Sequence, residues 1–345
     1  RMASYRSATS NYPKRIYFEP FHALATDWTV KRATVLMGPR RVGKTVMLSQ
    51  LVDALLANGS DPTTVMYASI DTPIYSQIPL EKFLDFFPIH PSQNLDRYYV
   101  FFDEIQYLKD WEVHLKDLVD RYPNVKFIAS GSAAAALRLA SKESGAGRFS
   151  DFRLPPLTFA EFVNFIGRTD ELIGLPDDRT TLCTTSNIEE LNAEFINYLN
   201  YGGYPEAVLS ASIRQNSDQF VKNDIIDKVL LKDLPALYGI TDIQELNRLF
   251  AHMAYNTGQE VSLQSLSEKS GKTKPTISRY IEYLESAFLV TKLSRIDATA
   301  RRFQRETAFK TYLTNPSMRA ALFSPVTPDK PEVIGHLAEA AVFSQ

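Results

Sequence analysis

The sequence predicts an α/β protein: a parallel sheet built around a phosphate-binding loop, with further helical modules behind it. Three observations predict it. Apolar strand-type runs alternate with helical patterns through the amino-terminal half, the signature of a parallel sheet with right-handed crossovers. The pattern G-x-x-x-x-G-K-[ST] is complete at Gly38-Pro39-Arg40-Arg41-Val42-Gly43-Lys44-Thr45. Two adjacent acids, Asp103 and Glu104, end an apolar run.

Strands are expected at 34–37, 64–70, 98–102, 125–129 and 152–154, with helices at 45–56, 80–87, 111–120 and 133–139 between them. The first strand, the loop and a helix opening at Thr45 and Val46 form the strand–loop–helix context that the glycine-rich motif requires. Backbone N–H groups of such a loop and the helix N-terminus face phosphate oxygens. Gly38 and Gly43 permit the close approach, Lys44 would reach the β/γ-phosphates, and Thr45 would place its hydroxyl on Mg²⁺.

The run Tyr98-Tyr99-Val100-Phe101-Phe102 is wholly apolar, as in a central strand buried on both faces. Acids at its carboxyl end lie where open α/β sheets bind ligands. Asp103 is expected to hold Mg²⁺, and Glu104 to orient the attacking water or accept its proton. The bland alternative is a solvated acidic pair. The acid-bearing strand is third in sequence rather than second, so an extra strand separates it from the loop in the chain. With its glutamate beside the metal acid, it resembles the additional-strand, catalytic-glutamate branch of P-loop ATPases. The fourth strand leads into Ser130-Gly131-Ser132. Ser132 is a candidate contact to the γ-phosphate or the water, and a plain small-residue turn is the competing explanation. Arg148 precedes the fifth strand, where AAA-type ATPases place an arginine finger. Such a finger acting on a neighbour's nucleotide requires a homo-oligomer. An ordinary surface ion pair is the alternative.

Leu154-Pro155-Pro156-Leu157 leaves the sheet through two prolines, a strong breaker. Helical patterns follow to about Lys232, interrupted by the sharp turn Tyr201-Gly202-Gly203-Tyr204-Pro205-Glu206, which either faces nucleotide or simply joins two helices. Residues 243–293 read as a winged helix. Its third helix begins at Thr273 with Pro275 in the first turn, and Ile277, Ile281 and Leu284 share a buried face at helical spacing. That leaves Lys272, Lys274, Thr276 and Arg279 exposed where a recognition helix would meet DNA or RNA. Arg295, Arg301, Arg302 and Arg305 would add a basic strip. Contact to a partner protein explains such a module as well.

Bulk properties bound the rest. The 345 residues are 44% hydrophobic and 23% charged, with a net charge of −2, so a nucleic-acid contact must come from a local basic face. No apolar run is long enough for a membrane span. The start, Arg1 to Arg6, lacks the apolar core of a signal peptide. A lone cysteine, Cys183, suits a reducing cytoplasm.

Together these motifs resemble a bacterial and archaeal AAA-type P-loop ATPase family that joins its ATPase domain to a C-terminal domain of unknown function. The residues carrying the resemblance are Gly38 to Thr45, Phe102-Asp103-Glu104-Ile105-Gln106, Gly131-Ser132, Ala146-Gly147-Arg148, Gly202-Gly203-Tyr204-Pro205-Glu206 and the winged helix. The resemblance implies ATP and Mg²⁺ as cofactors. It implies a C-terminal start of a restriction-nuclease-like fold, with Gly335 and Glu339 at the family's Gly-x-x-x-Glu positions. Asn315 stands where the family often has aspartate, and the chain ends before a nuclease centre is complete. The expected organisation is an N-terminal arm (1–32), a P-loop ATPase core (33–157), a helical lid (158–235), a winged helix (236–300) and a truncated nuclease-like α/β start (301–345). The expected function is ATP hydrolysis coupled to the winged helix, with a slow ATP-dependent regulatory switch as the alternative.

Overall fold

The computed structural model describes residues 12–85, 97–132, 147–174, 184–294 and 308–344. The chain divides into two units, one of Arg1–Gly38 with Gly43–Leu154, the other of Pro39–Val42 with Pro155–Gln345.

The first unit is a five-stranded parallel sheet. Its strands are β1 (Ala33–Met37), β2 (Val65–Ser69), β3 (Tyr98–Asp103), β4 (Val125–Gly131) and β5 (Phe149–Arg153), in the order β2-β3-β4-β1-β5. The central strands β1, β3 and β4 are buried at every residue, which is why they read as continuous apolar runs. The edge strands are only partly covered: β2 buries Val65 and Ala68, and β5, with the polar sequence Phe149-Ser150-Asp151-Phe152-Arg153, has no fully buried residue. The strand expected at 152–154 therefore begins three residues earlier than its apolar residues suggest. In space it is β4 that separates the loop-bearing β1 from the acid-bearing β3; β2, the extra strand in the chain, sits at the sheet edge.

Helix Lys44–Ala57 opens with Gly43 in a left-handed conformation (φ 95°), which a side chain at that position would strain. Helix Trp111–Arg121 covers the sheet through Trp111, Leu115 and Leu118. The region expected as an arm carries a helix of its own, Phe18–Thr26, burying Phe18, Phe21 and Ala25. The helix expected at 80–87 spans Leu80–Leu84. The helix expected at 133–139 lies outside the described residues.

In the second unit, helices Phe159–Phe165 and Ile188–Tyr201 pack around Phe162, Tyr198, Leu199 and Leu337. Thr158 and Glu161 form a capping box at the start of the first of these helices, satisfying N-terminal N–H groups that the helix cannot. One continuous helix covers 217–238, so the boundary expected at 235/236 falls inside it. Helices Ile243–Tyr255, Leu263–Ser270 and Lys274–Ser286 follow, and Gly271 ends the second in left-handed geometry (φ 68°). They accompany an antiparallel sheet of β6 (Glu260–Val261), β8 (Phe309–Leu313) and β7 (Val290–Ser294). Because β8 pairs with both β6 and β7, the boundary expected at 300/301 falls inside this sheet. Among the described residues no helix is long and apolar enough to cross a membrane.

Candidate nucleotide site

Parallel register brings the carboxyl ends of β1, β3 and β4 to one edge of the first unit, with Met37 opposite Gly131 and Phe102 opposite Ala129. Asp103 closes β3 there, only 1% exposed. Thr45 Oγ1, in the first turn of helix Lys44–Ala57, donates to Asp103 Oδ2 at 2.9 Å. Tyr67 on β2 donates its phenol O–H to the same oxygen at 2.5 Å. The other carboxylate oxygen accepts from Ser130 Oγ and, at 3.1 Å, from the Glu104 backbone N–H. Four donors on one buried carboxylate satisfy its lone pairs and fix its orientation. Lys44, also buried, donates from Nζ to the Gly38 carbonyl at 3.0 Å, which lays its ammonium across the loop.

Glu104 follows with φ 54° and ψ 45°. Left-handed backbone at a residue that is not glycine costs of order 1–3 kcal/mol and is typical of functional sites. The conformation turns Glu104 out of the strand direction. Its carboxylate then accepts from Gln106 Nε2, while Gln106 Oε1 accepts the Ser132 backbone N–H at 3.1 Å. Gln106 thus ties the end of β3 to the end of β4. Ser132 Oγ is buried without a hydrogen-bond partner among the described residues, and the hydroxyl that reaches Asp103 is that of Ser130. Tyr67 carries no motif of its own, and Gln106 stands in the Phe102–Gln106 stretch with no role assigned to it by the sequence. Only the register of β2 against β3, with Ser69 opposite Asp103, would have pointed to Tyr67.

Arg148 immediately precedes β5, and Phe149 pairs with Ala33 at the start of β1. The arginine therefore stands at the amino-terminal edge of the sheet, opposite the edge that holds the loop. Its Nε donates to Asp120 Oδ1 at 2.5 Å, and both side chains are a little over 40% exposed.

The loop residues Pro39, Arg40, Arg41 and Val42 group with the second unit. Arg40 forms a two-pronged pair with Asp233, Nε and Nη2 each 2.9 Å from a carboxylate oxygen. Arg41, itself left-handed at φ 64°, donates to Glu206 at 3.0 Å and lies 3.6 Å from Asp224. Lys228, with Arg41 and Arg40 beyond it, holds the Asp224 carboxyl below the usual carboxylate range.

The candidate nucleic-acid residues lie on or beside helix Lys274–Ser286. Lys274 and Arg279 are exposed. Thr276 is bound into the N-cap by Thr273. Lys272 is 2.7 Å from Asp242, so its charge is shared within the chain; the pair raises the Lys272 pKa and lowers that of Asp242. Arg295, Arg301, Arg302 and Arg305 lie outside the described residues. Glu339 accepts from Lys310 Nζ and Tyr312 Oη at 2.9 and 2.7 Å.

Two family models match successive stretches of the chain. Residues 30–163 match the model of an AAA domain and residues 192–329 that of a domain of unknown function, DUF8612. The first region is an AAA-type P-loop domain on a parallel sheet, and the second has no assigned role. The chain is 25% identical over 291 residues to an uncharacterized protein of Haemophilus influenzae, covering 83% of this chain and 68% of that one. It is 26% identical over 275 residues to an uncharacterized protein of Methanocaldococcus jannaschii, covering 75% of this chain and 56% of that one. Among solved structures, Cdc6p from Pyrobaculum aerophilum aligns at 13% identity, TM-score 0.38, over 99% of this chain and 98% of that one. The Aeropyrum pernix Orc1 protein in complex with DNA aligns at 13% identity, TM-score 0.34, over 90% and 92%.

Proposed function

We propose that the chain binds ATP with Mg²⁺ and hydrolyses it, and that its nucleotide state governs a winged-helix module that contacts DNA. The observation that carries this reading is the Thr45–Asp103 contact at the mouth of the glycine-rich loop. A hydroxyl and a carboxylate side by side are hard oxygen donors of the kind Mg²⁺ takes. Bound there, the ion would neutralise charge on the β- and γ-phosphates. The loop N–H groups and Lys44 cradle the phosphates. Tyr67 and Ser130 hold Asp103 in place. Glu104, aimed by Gln106, orients the attacking water and accepts its proton. The test is binding of a non-hydrolysable ATP analogue. Lys44→Ala removes a charge-assisted contact of about 1.5–3 kcal/mol, so affinity is expected to fall about 10- to 100-fold. Unchanged affinity would remove the loop from the nucleotide site.

Arg148 fits this scheme only in trans, because it stands at the sheet edge opposite its own loop. Mixing Lys44→Ala with Arg148→Ala protein is the decisive assay. Each alone is expected to be inactive. The mixture should recover turnover, since an intact loop on one copy meets an intact arginine on another. No recovery in a mixture shown to associate would leave Arg148 as the surface partner of Asp120.

DNA contact through helix Lys274–Ser286 makes a separate prediction. Reversing both exposed charges, Lys274→Glu with Arg279→Glu, is expected to weaken duplex binding and flatten its salt dependence by about 0.9 in log–log slope per lost phosphate contact. An unchanged slope in a filter or anisotropy titration would favour a protein partner. The slow-switch alternative shares the site and predicts tight binding with negligible turnover.

A further inference from the structure

Arg40 and Arg41 fill variable positions of the loop motif, and neither charge is left to the loop alone. Arg40 grips Asp233 with both prongs of its guanidinium, and these side chains are only 25% and 14% exposed. Planar two-pronged pairs of this kind fix geometry as well as charge. Arg41 shares its charge between Glu206 and Asp224, and its guanidinium lies 5.8 Å from the Phe220 ring centre.

Asp233, Asp224 and Phe220 all belong to the helix 217–238. Its hydrogen bonding is π-type over Val221–Asp227 and again over Val229–Asp233. Such stretches are rare, usually a single turn, and cluster at functional sites. Pro235 supplies a physical cause for part of it. It has no N–H to donate, and its ring crowds the carbonyl one turn earlier, a clash that a wider turn relieves. At the helix's carboxyl end the Tyr238 ring stacks on Tyr283, centroids 3.6 Å apart and planes 14° from parallel. Tyr283 lies on helix Lys274–Ser286, which also carries Lys274 and Arg279.

We infer that the helix 217–238 transmits occupancy of the phosphate loop to helix Lys274–Ser286, with Asp233 as the positioning residue and the Tyr238–Tyr283 stack, just beyond it at the helix's carboxyl end, as the joint. The inference rests on the nucleotide reading above and names its route. A triphosphate brings several negative charges beside two guanidiniums already committed to carboxylates. Phosphate oxygens compete for the same fork geometry, so the load on Asp233 and Asp224 depends on what the loop holds. A π-bonded helix has the ordinary i→i−4 pairing close at hand, which gives the element two arrangements to choose between. A slip of one residue moves its end by about 1.5 Å, a large step for stacked rings.

The test is amide hydrogen exchange across 274–286 in the full chain, with and without Mg²⁺ and the non-hydrolysable analogue AMPPCP. In the wild type the analogue is expected to change exchange there about fivefold, the lower range of ordinary coupling between sites. D233N and Y283A should each bind the analogue within a few-fold of wild type yet lose that response, while Y283F, which keeps the ring, should retain it. Y283A alters a half-buried surface ring and so stands in if D233N misfolds. A wild-type chain that binds the analogue with no change at 274–286, or variants that respond as the wild type does, would overturn the inference and leave the nucleotide site intact. A wild-type chain that binds no analogue would remove both.

Discussion

Replacing Glu104 by glutamine is expected to slow ATP turnover by about 10²- to 10⁴-fold, the range a positioned general base supplies, with analogue affinity within a few-fold of wild type. The substitution keeps shape and hydrogen bonding. A glutamine amide oxygen still accepts from Gln106 Nε2, as the carboxylate does now, and the backbone N–H still donates to Asp103 and Ser130, each at 3.1 Å. The left-handed turn at φ 54° costs glutamine about what it costs glutamate. What disappears is the capacity to take a proton from water. Single-turnover hydrolysis with saturating enzyme measures this directly, and it separates a catalytic glutamate from a slow switch, because the ratio of the two rates matters rather than their size. A Glu104→Gln chain that turns over as fast as wild type would assign the strained turn to structure. Gln106→Ala provides the companion measurement. It leaves the carboxylate but removes its tether to Ser132, and should lower the rate by less.

The legible parts of this chain are those in which neighbours in sequence determine the chemistry. Strands β1, β3 and β4 are buried on both faces, so their apolar runs announce them. Gly38, Gly43, Lys44 and Thr45 sit in one loop, so their spacing alone places them. Asp103 stands at a strand end for the same reason. The partners of Asp103 were not legible, because Tyr67 comes from another strand and depends on a register that a sequence does not display. Ser130 reaches the acid from inside β4, whereas Ser132 lies past the strand's last residue, Gly131; the sequence does not display where the strand stops. The edge strand β5 hid its first residues because they are partly exposed and include Ser150 and Asp151. Least legible were the partners of Arg40 and Arg41: Asp233 is 193 positions away from Arg40, on a helix whose π-type bonding has no pattern of period to read. The Gly-Gly turn was visible, yet its reason lay more than a hundred residues downstream.

Gly203→Ala is expected to destabilise the protein by about 1–3 kcal/mol or more, the cost of overpacking a filled site. A Cβ built on Gly203 would run into the Nδ2, Cγ and Oδ1 atoms of Asn315. Neither side can yield cheaply. The Gly203 carbonyl accepts the Leu157 N–H at 2.8 Å, which holds the backbone. Asn315 is fully buried and accepts the Ser317 N–H on Oδ1 at 2.8 Å, which holds the side chain. The second glycine of the turn is thus required by close approach to another segment, and not by its backbone angles. Gly202 is in the same position against the backbone and ring of Tyr198. Thermal unfolding of the helical signal should therefore shift down by several degrees in Gly203→Ala. Asn315→Gly should also destabilise, through the lost contact to Ser317, but combining the two should cost less than their sum, since the second change opens the space the first needs. Strict additivity would mean that the alanine is accommodated by a backbone shift at 202–204 instead. That shift would carry Glu206 with it, so in that case the Arg41–Glu206 pair, and with it the analogue affinity, should change where the fold does not.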